Sequence, residues 1–150
     1  MRQGFTERVD AAFAALPADA RDCRPSIGII LGSGLGDFAR RVRGTAVSLA
    51  SVPGLPKPTV EGHRGVLTVG REVAVLAGRA HFYEGNEPDD VVMPVFLLHR
   101  RGVRTLVVTN AAGGINRSYA PGNLVIISDH LNLAGINPLR GPDAGPGPRF

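Results

Sequence analysis

The stretch Ile27–Gly36, IGIILGSGLG, decides how the rest of the chain is read. Its first five residues are wholly apolar and largely β-branched. A run so short and so apolar reads as a strand buried on both faces, as in a sheet covered by helices. GSGLG follows at once as a strand-to-helix turn, and DFARRV after it reads as a short helix. Further along, Arg104–Thr109 (RTLVVT) is a second buried strand that opens directly into NAAGG, and Asn123–Ser128 (NLVIIS) reads as a third. Thr45–Val52 has strand character. Gly65–Val69 and Glu72–Leu76, joined at Gly70-Arg71, are spaced as a hairpin.

Two helices accompany these strands. Val9, Ala12, Phe13 and Leu16 recur at helical spacing, which predicts a helix over Thr6–Leu16, capped by Thr6 and ended by Pro17. Asp89–Arg101 is the second. Pro88 and two aspartates suit its first turn, Arg100 and Arg101 its last, and Gly102 its C-terminal cap, while Pro94 is expected to kink it. Ala18–Pro25, PGLPKPTVEGH (53–63) and GRAHFYEGN (78–86) read as connections, and nothing regular is evident from Gly135 onward. The fold class expected is α/β: a mixed sheet sandwiched by helices, with function at the carboxyl ends of its strands. Residues 1–150 read as one unit, with 1–25 its N-terminal helix and linker. The lack of a closing helix or strand before Phe150 gives the expectation of a truncated domain.

Composition narrows the function. The chain has 150 residues, 43% hydrophobic and 20% charged, with a formal net charge of +4, which excludes disorder as the dominant state. Cys23 is the single cysteine, so no disulfide framework exists within the chain. No apolar run approaches the ~20 residues of a membrane span, and the N-terminus lacks the apolar segment of a signal peptide. The expected setting is the cytoplasm. Of 17 basic residues only Lys57 is a lysine. The arginines are scattered, which suits small anions and argues against nucleic acid as a partner.

Four motifs could carry chemistry. In GSGLG, Gly32–Gly36, backbone N–H groups, the Ser33 hydroxyl and the following helix start can cradle an anion, although a plain tight turn has the same composition. A dinucleotide fingerprint fits poorly, because residue 37 is Asp and no acidic residue closes a second strand ~20 residues on. In EGHRG, His63 stands at a loop-to-strand junction and can donate to a phosphate oxygen or act as a base; a surface or structural role is the plainer reading. GRAHFYEG places Arg79, His81, Tyr83 and Glu84 within six residues. If strand register persists there, Arg79, His81 and Tyr83 share one face. Arginine offers a planar fork for phosphate and tyrosine a ring with a hydroxyl tip suited to a sugar. In TNAAGG, Thr109–Gly114, small residues let backbone approach a ligand closely, or simply pack a turn. Asp129, His130, Asn137 and Arg140 read as loop-ordering residues. The four histidines lack ligand spacing, so no metal site is expected, and no serine lies in a GxSxG elbow.

IILGSGLG, EGHRG, GRAHFYEG, VVTNAAGGIN and SDHLNL, in this order and spacing, resemble the trimeric purine nucleoside phosphorylases from about Ile27 to Phe150. The related methylthioadenosine phosphorylases fit less well, since they carry a threonine in the first glycine-rich turn and an RHG-type motif in place of GRAHFYEG. The resemblance implies reversible phosphorolysis of a purine ribonucleoside or deoxyribonucleoside in purine salvage, with inorganic phosphate as co-substrate and nucleophile, no cofactor, and a homotrimer. It implies a phosphate clamp of Ser33, His63, Arg79 and the backbone N–H of Ala111. It gives Tyr83 and His81 the pentose side, has Asn110 and Gly113 shape the turn beneath the sugar, and sends Phe150 into a neighbouring subunit. It also implies that this chain is the N-terminal portion of such a domain, without the residues that grip and protonate the purine. An inactive or non-catalytic phosphate- or nucleoside-binding fragment, or a methylthioadenosine phosphorylase, is the alternative.

Overall fold

Five strands form one mixed sheet in the order β2-β3-β4-β1-β5, seen in a computed structural model that describes residues 4–56 and 65–141. β1 (Ile27–Leu31) lies between β4 (Val73–Ala77) and β5 (Thr105–Val108) and is parallel to both. β2 (Thr45–Ser48), β3 (Val66–Val69) and β4 form an antiparallel meander, so the hairpin expected around Gly70-Arg71 is present. The expected α/β class is therefore found, with a sheet that is parallel where the glycine-rich turns leave it.

Side-chain alternation along β4 divides the core. Ala74 and Leu76 enter a large cluster under α1 (Phe5–Ala14) and α3 (Pro88–Arg100), with Val9, Ala12, Met93, Leu97 and Leu98. Val75 and Ala77 face the other way, into a smaller cluster with Leu31 and Ala39. Burying both faces explains why β1 and β4 read as continuous apolar runs rather than alternating ones. Gly28 lets α3 approach, because a Cβ there would stand 3.0 Å from Val103 and 3.4 Å from Leu98. Phe5 meets Phe96 edge-on at 4.9 Å, and Arg100, ion-paired to Asp10, lies over the Phe13 ring, which fixes α1 against α3.

Several boundaries differ from the sequence reading. α1 begins at Phe5 behind a left-handed Gly4 (φ 82°), and Thr6 makes no capping bond. The supposed connection after Pro17 holds a one-turn helix, α2 (Ala18–Asp22), whose Ala20 carbonyl accepts from the fully buried Arg101 guanidinium, as does that of Cys23. The Nε and Nη1 of Arg101 have no acceptor, and burial holds its pKa below the ordinary arginine value. β2 stops at Ser48, where the Ser51 hydroxyl donates to the Ser48 carbonyl and the chain turns through Leu49–Ser51. The helix expected over Asp37–Val42 is a 3-10 turn, Gly36–Arg41. α3 matches expectation closely, and Gly102, at φ 102°, closes it through its N–H to His99.

NLVIIS forms no strand. Leu124 and Ile126 are 97% and 96% exposed, and β5 itself is exposed along its length. Strand composition supplies the apolar residues but not the neighbouring backbone that a ladder needs, and here no described strand lies alongside.

Glycine at 44 is required by the hairpin. A Cβ there would fall 2.1 Å from the Val69 carbonyl oxygen, whereas Gly36 has nothing within 4 Å. Gly44→Ala is expected to cost about 1–3 kcal/mol through overpacking, and Gly36→Ala to leave stability unchanged; urea unfolding of the two variants beside the parent measures this.

Candidate functional site

Parallel pairing brings three turns to one end of the sheet. Leu31 is level with Ala77, and Ile30 with Val108, so Gly32, Gly78 and Thr109 leave the sheet side by side. The GSGLG, GRAHFYEG and TNAAGG motifs, separated widely in sequence, thus converge at the carboxyl ends of β1, β4 and β5.

Hydrogen bonds stitch these turns together. The Gly32 N–H donates to the Thr109 hydroxyl at 2.9 Å, that hydroxyl donates to the Ile30 carbonyl at 3.2 Å, and an Arg79 terminal nitrogen donates to the Thr109 carbonyl at 2.8 Å. The first and third turns are pressed close: a Cβ on Gly32 would lie 2.6 Å from the Thr109 oxygen and 2.8 Å from the Asn110 Cα. Gly34, at φ 83°, takes the left-handed position in the first turn, and the Leu35 N–H closes it on the Gly32 carbonyl. Ser33 projects from this turn and is exposed.

The second turn is built differently from the sequence expectation. Strand register does not run through Arg79, His81 and Tyr83, because β4 ends at Ala77 and Phe82–Glu84 is a 3-10 turn. The reason is local: Glu84, its side chain only 4% exposed, reaches back to accept from the His81 backbone N–H at 2.7 Å and contacts the His81 Nδ1 at 2.6 Å. One hydrogen bond thus joins the His81 ring to the Glu84 carboxylate across the turn. Asn86 adds a bond to the His81 carbonyl. The His81 and Tyr83 rings nonetheless come together, stacked at 4.7 Å and 14° between planes, with Tyr83 74% exposed. The result is a flat aromatic shelf in the same turn as the half-buried Arg79.

The structure therefore places Ser33, Arg79, His81, Tyr83, Asn110 and Ala111 on the three adjoining turns. Ala111 is exposed, and Asn110 donates to its carbonyl. Gly113 stands in open space, with nothing within 4 Å of where a Cβ would be; the glycine that the close approach requires is Gly32. His63 and Phe150 lie outside the described residues. Asn137 orders its own loop by accepting from Leu139. Sequence reading assigned no role to Thr109, and noted Glu84 without one. Glu84 carries a legible signal, a carboxylate three residues past the start of a short turn; the tie made by Thr109 crosses between strands distant in sequence and leaves none. No helix among the described residues is long and apolar enough to cross a membrane.

The fold is thus an α/β unit that gathers small-residue turns, an arginine and two stacked rings at one end of its sheet. The particular family follows from comparison. The model of the Phosphorylase superfamily matches residues 26–150, and the chain belongs to that family. It is 48% identical over 132 residues to purine nucleoside phosphorylase 1 of Geobacillus stearothermophilus, covering 84% of this chain and 48% of that one. Against purine nucleoside phosphorylase 1 of Bacillus subtilis (strain 168) the identity is 42%, covering 96% and 55%. A crystal structure of isoform 2 of purine nucleoside phosphorylase from Schistosoma mansoni, in complex with cytosine and ribose-1-phosphate, superposes with a TM-score of 0.78 at 36% identity, covering 91% of this chain and 50% of that one. A purine nucleoside phosphorylase in complex with ribose-1-phosphate gives 0.78 at 39% identity, covering 91% and 53%. The chain spans about half the length of the curated relatives it matches.

Removing the Glu84 carboxylate tests how the shelf is held. Glu84→Ala is expected to cost about 1–3 kcal/mol, because it leaves the His81 N–H without its acceptor and Nδ1 without its partner, and to release the ring stack. Glu84→Gln, which keeps an acceptor oxygen, should cost less. Urea unfolding reads the first effect and proton NMR of the His81 and Tyr83 rings the second.

Proposed function

We propose that this chain contributes the phosphate side and part of the pentose side of a site for reversible phosphorolysis of purine ribonucleosides or deoxyribonucleosides. In that reaction the glycosidic C–N bond breaks with its electron pair leaving on the purine, and a phosphate oxygen forms the new bond to the anomeric carbon. The products are free base and pentose 1-phosphate. Phosphate is the co-substrate and supplies the nucleophile, so no protein nucleophile is needed.

The observation that carries this reading is the convergence of three turns with the Arg79 guanidinium tied to one of them. Ser33, the Arg79 fork and the Ala111 N–H form the clamp, to which the sequence resemblance adds His63. The clamp offsets the dianion's charge and holds it in position, which turns an encounter into a directed attack. As the sugar gains oxocarbenium character, the held dianion stabilises the developing positive charge. The His81–Tyr83 shelf offers a flat apolar face with a hydroxyl at its tip for the pentose. Glu84 holds the His81 ring in this shelf through Nδ1. The relatives' names and the ribose-1-phosphate in two solved neighbours support this reading. The homotrimer, and the contact of Phe150 with a neighbouring copy, are what the sequence resemblance implies.

Arg79→Ala is expected to weaken binding of inorganic phosphate about tenfold or more, the loss of hydrogen bonds to a charged group, while inosine binding changes by less than about threefold. Calorimetric titration of each ligand measures this; equal loss of both, or of neither, overturns the assignment.

A further inference from the structure

We infer that Thr109 is a positioning residue whose hydroxyl sets the spacing of the oxyanion clamp, an inference that rests on the phosphate reading given above. Thr109 follows β5 directly and is half-buried. Its four polar functions all bridge to another strand end. Its N–H and its hydroxyl both donate to the Ile30 carbonyl, at 3.0 and 3.2 Å, and so use both lone pairs of that oxygen. The same hydroxyl accepts the Gly32 N–H at 2.9 Å, and its carbonyl accepts from Arg79 at 2.8 Å. One residue thereby ties the first turn to the third through its side chain, and the second turn to the third through its backbone.

The side-chain tie needs this residue type. Valine has the same shape but cannot accept the Gly32 N–H, which would leave the amide of a buried residue unpaired. Serine keeps both hydroxyl bonds and loses only the methyl that restricts the rotamer. The closeness of the two turns, which excludes any side chain at residue 32, is the separation at which the hydroxyl reaches the Gly32 amide. Ser33 is the next residue, so a displacement of Gly32 carries that clamp hydroxyl with it. With its amide taken up by Thr109, Gly32 acts by placing Ser33 rather than by donating to the ligand. Arg79, tethered through one terminal nitrogen, has its fork oriented relative to the same point. Thr109 thus touches none of the reacting atoms and acts through Gly32, Ser33 and Arg79.

The test compares Thr109→Val, Thr109→Ala and Thr109→Ser with the parent chain, using inorganic phosphate and inosine as calorimetric probes and hydrogen exchange of the Gly32 amide as the readout of the tie. The expected result for Val and Ala is a loss of phosphate affinity of about tenfold, the scale of one strong hydrogen bond. Inosine affinity should stay within about threefold and Gly32 amide exchange should rise about tenfold or more. Ser should restore all three values to within about threefold of the parent. A general loss of structure would instead weaken both ligands together and accelerate exchange throughout the sheet, and that result overturns the inference. So does a Val or Ala variant that binds phosphate as the parent does, or a Ser variant that fails to restore binding. A parent chain that takes up no phosphate overturns the reading of the site and the role of Thr109 with it; uptake by the parent with indifference to Val overturns Thr109 alone.

Discussion

Hydrogen bonds between the ends of β1 and β5 hold the rest of the site in place. The Thr109 hydroxyl links the Gly32 amide to the Ile30 carbonyl, and the Thr109 carbonyl receives Arg79 from the turn after β4. Neighbouring strands in a sheet lie about 4.8 Å apart, so residues leaving three adjacent strands at one level are already within reach of a single small ion. What the sheet leaves undetermined is the direction each turn takes on departure. The absence of a side chain at Gly32, the left-handed backbone at Gly34 and the Glu84-braced turn each settle one such direction.

The two halves of the sheet have separate tasks. The antiparallel meander β2-β3-β4 contributes local pairing and core, and its Leu67 and Val69 lie beneath α1 and α3. The parallel part, β4-β1-β5, carries the chemistry-bearing turns. β4 belongs to both, so the GRAHFYEG turn is anchored by the best-buried strand of the molecule, with Val75 and Leu76 at 0% and 1% exposure. Side chains mounted there inherit the rigidity of the core rather than the mobility of a surface loop.

Much of this was legible in the sequence, and the divisions have physical causes. β1 was readable to its last residue, because five apolar residues followed by a glycine-rich turn allow little else. α3 was equally plain from Pro88, Asp89, Asp90 and Gly102. The α2 turn was hidden because its stability comes from the Arg101 guanidinium beneath it, a contact spanning about eighty residues. NLVIIS misled for the opposite reason, since its residues have strand preferences but backbone pairing decides. At the site, the motifs named Ser33, Arg79, His81 and Tyr83 individually. That His81 and Tyr83 stack through a turn, and that Thr109 knots the turns together, depends on distances between segments that no single motif contains.

The outer surface of β5 and the run Leu124–Ile127 bear on how such a chain survives in water. Val108 is 57% exposed, Ile127 65%, and Leu131 and Leu133 85% and 88%. Free strand edges beside uncovered aliphatic side chains are templates for adhesion between molecules. Local pairing can consolidate the meander quickly, whereas this flank waits for a cover and in the meantime is the kind of surface that chaperones hold. Adhesion between molecules is therefore set along the outer side of β5, and the geometry of the turns at its carboxyl end.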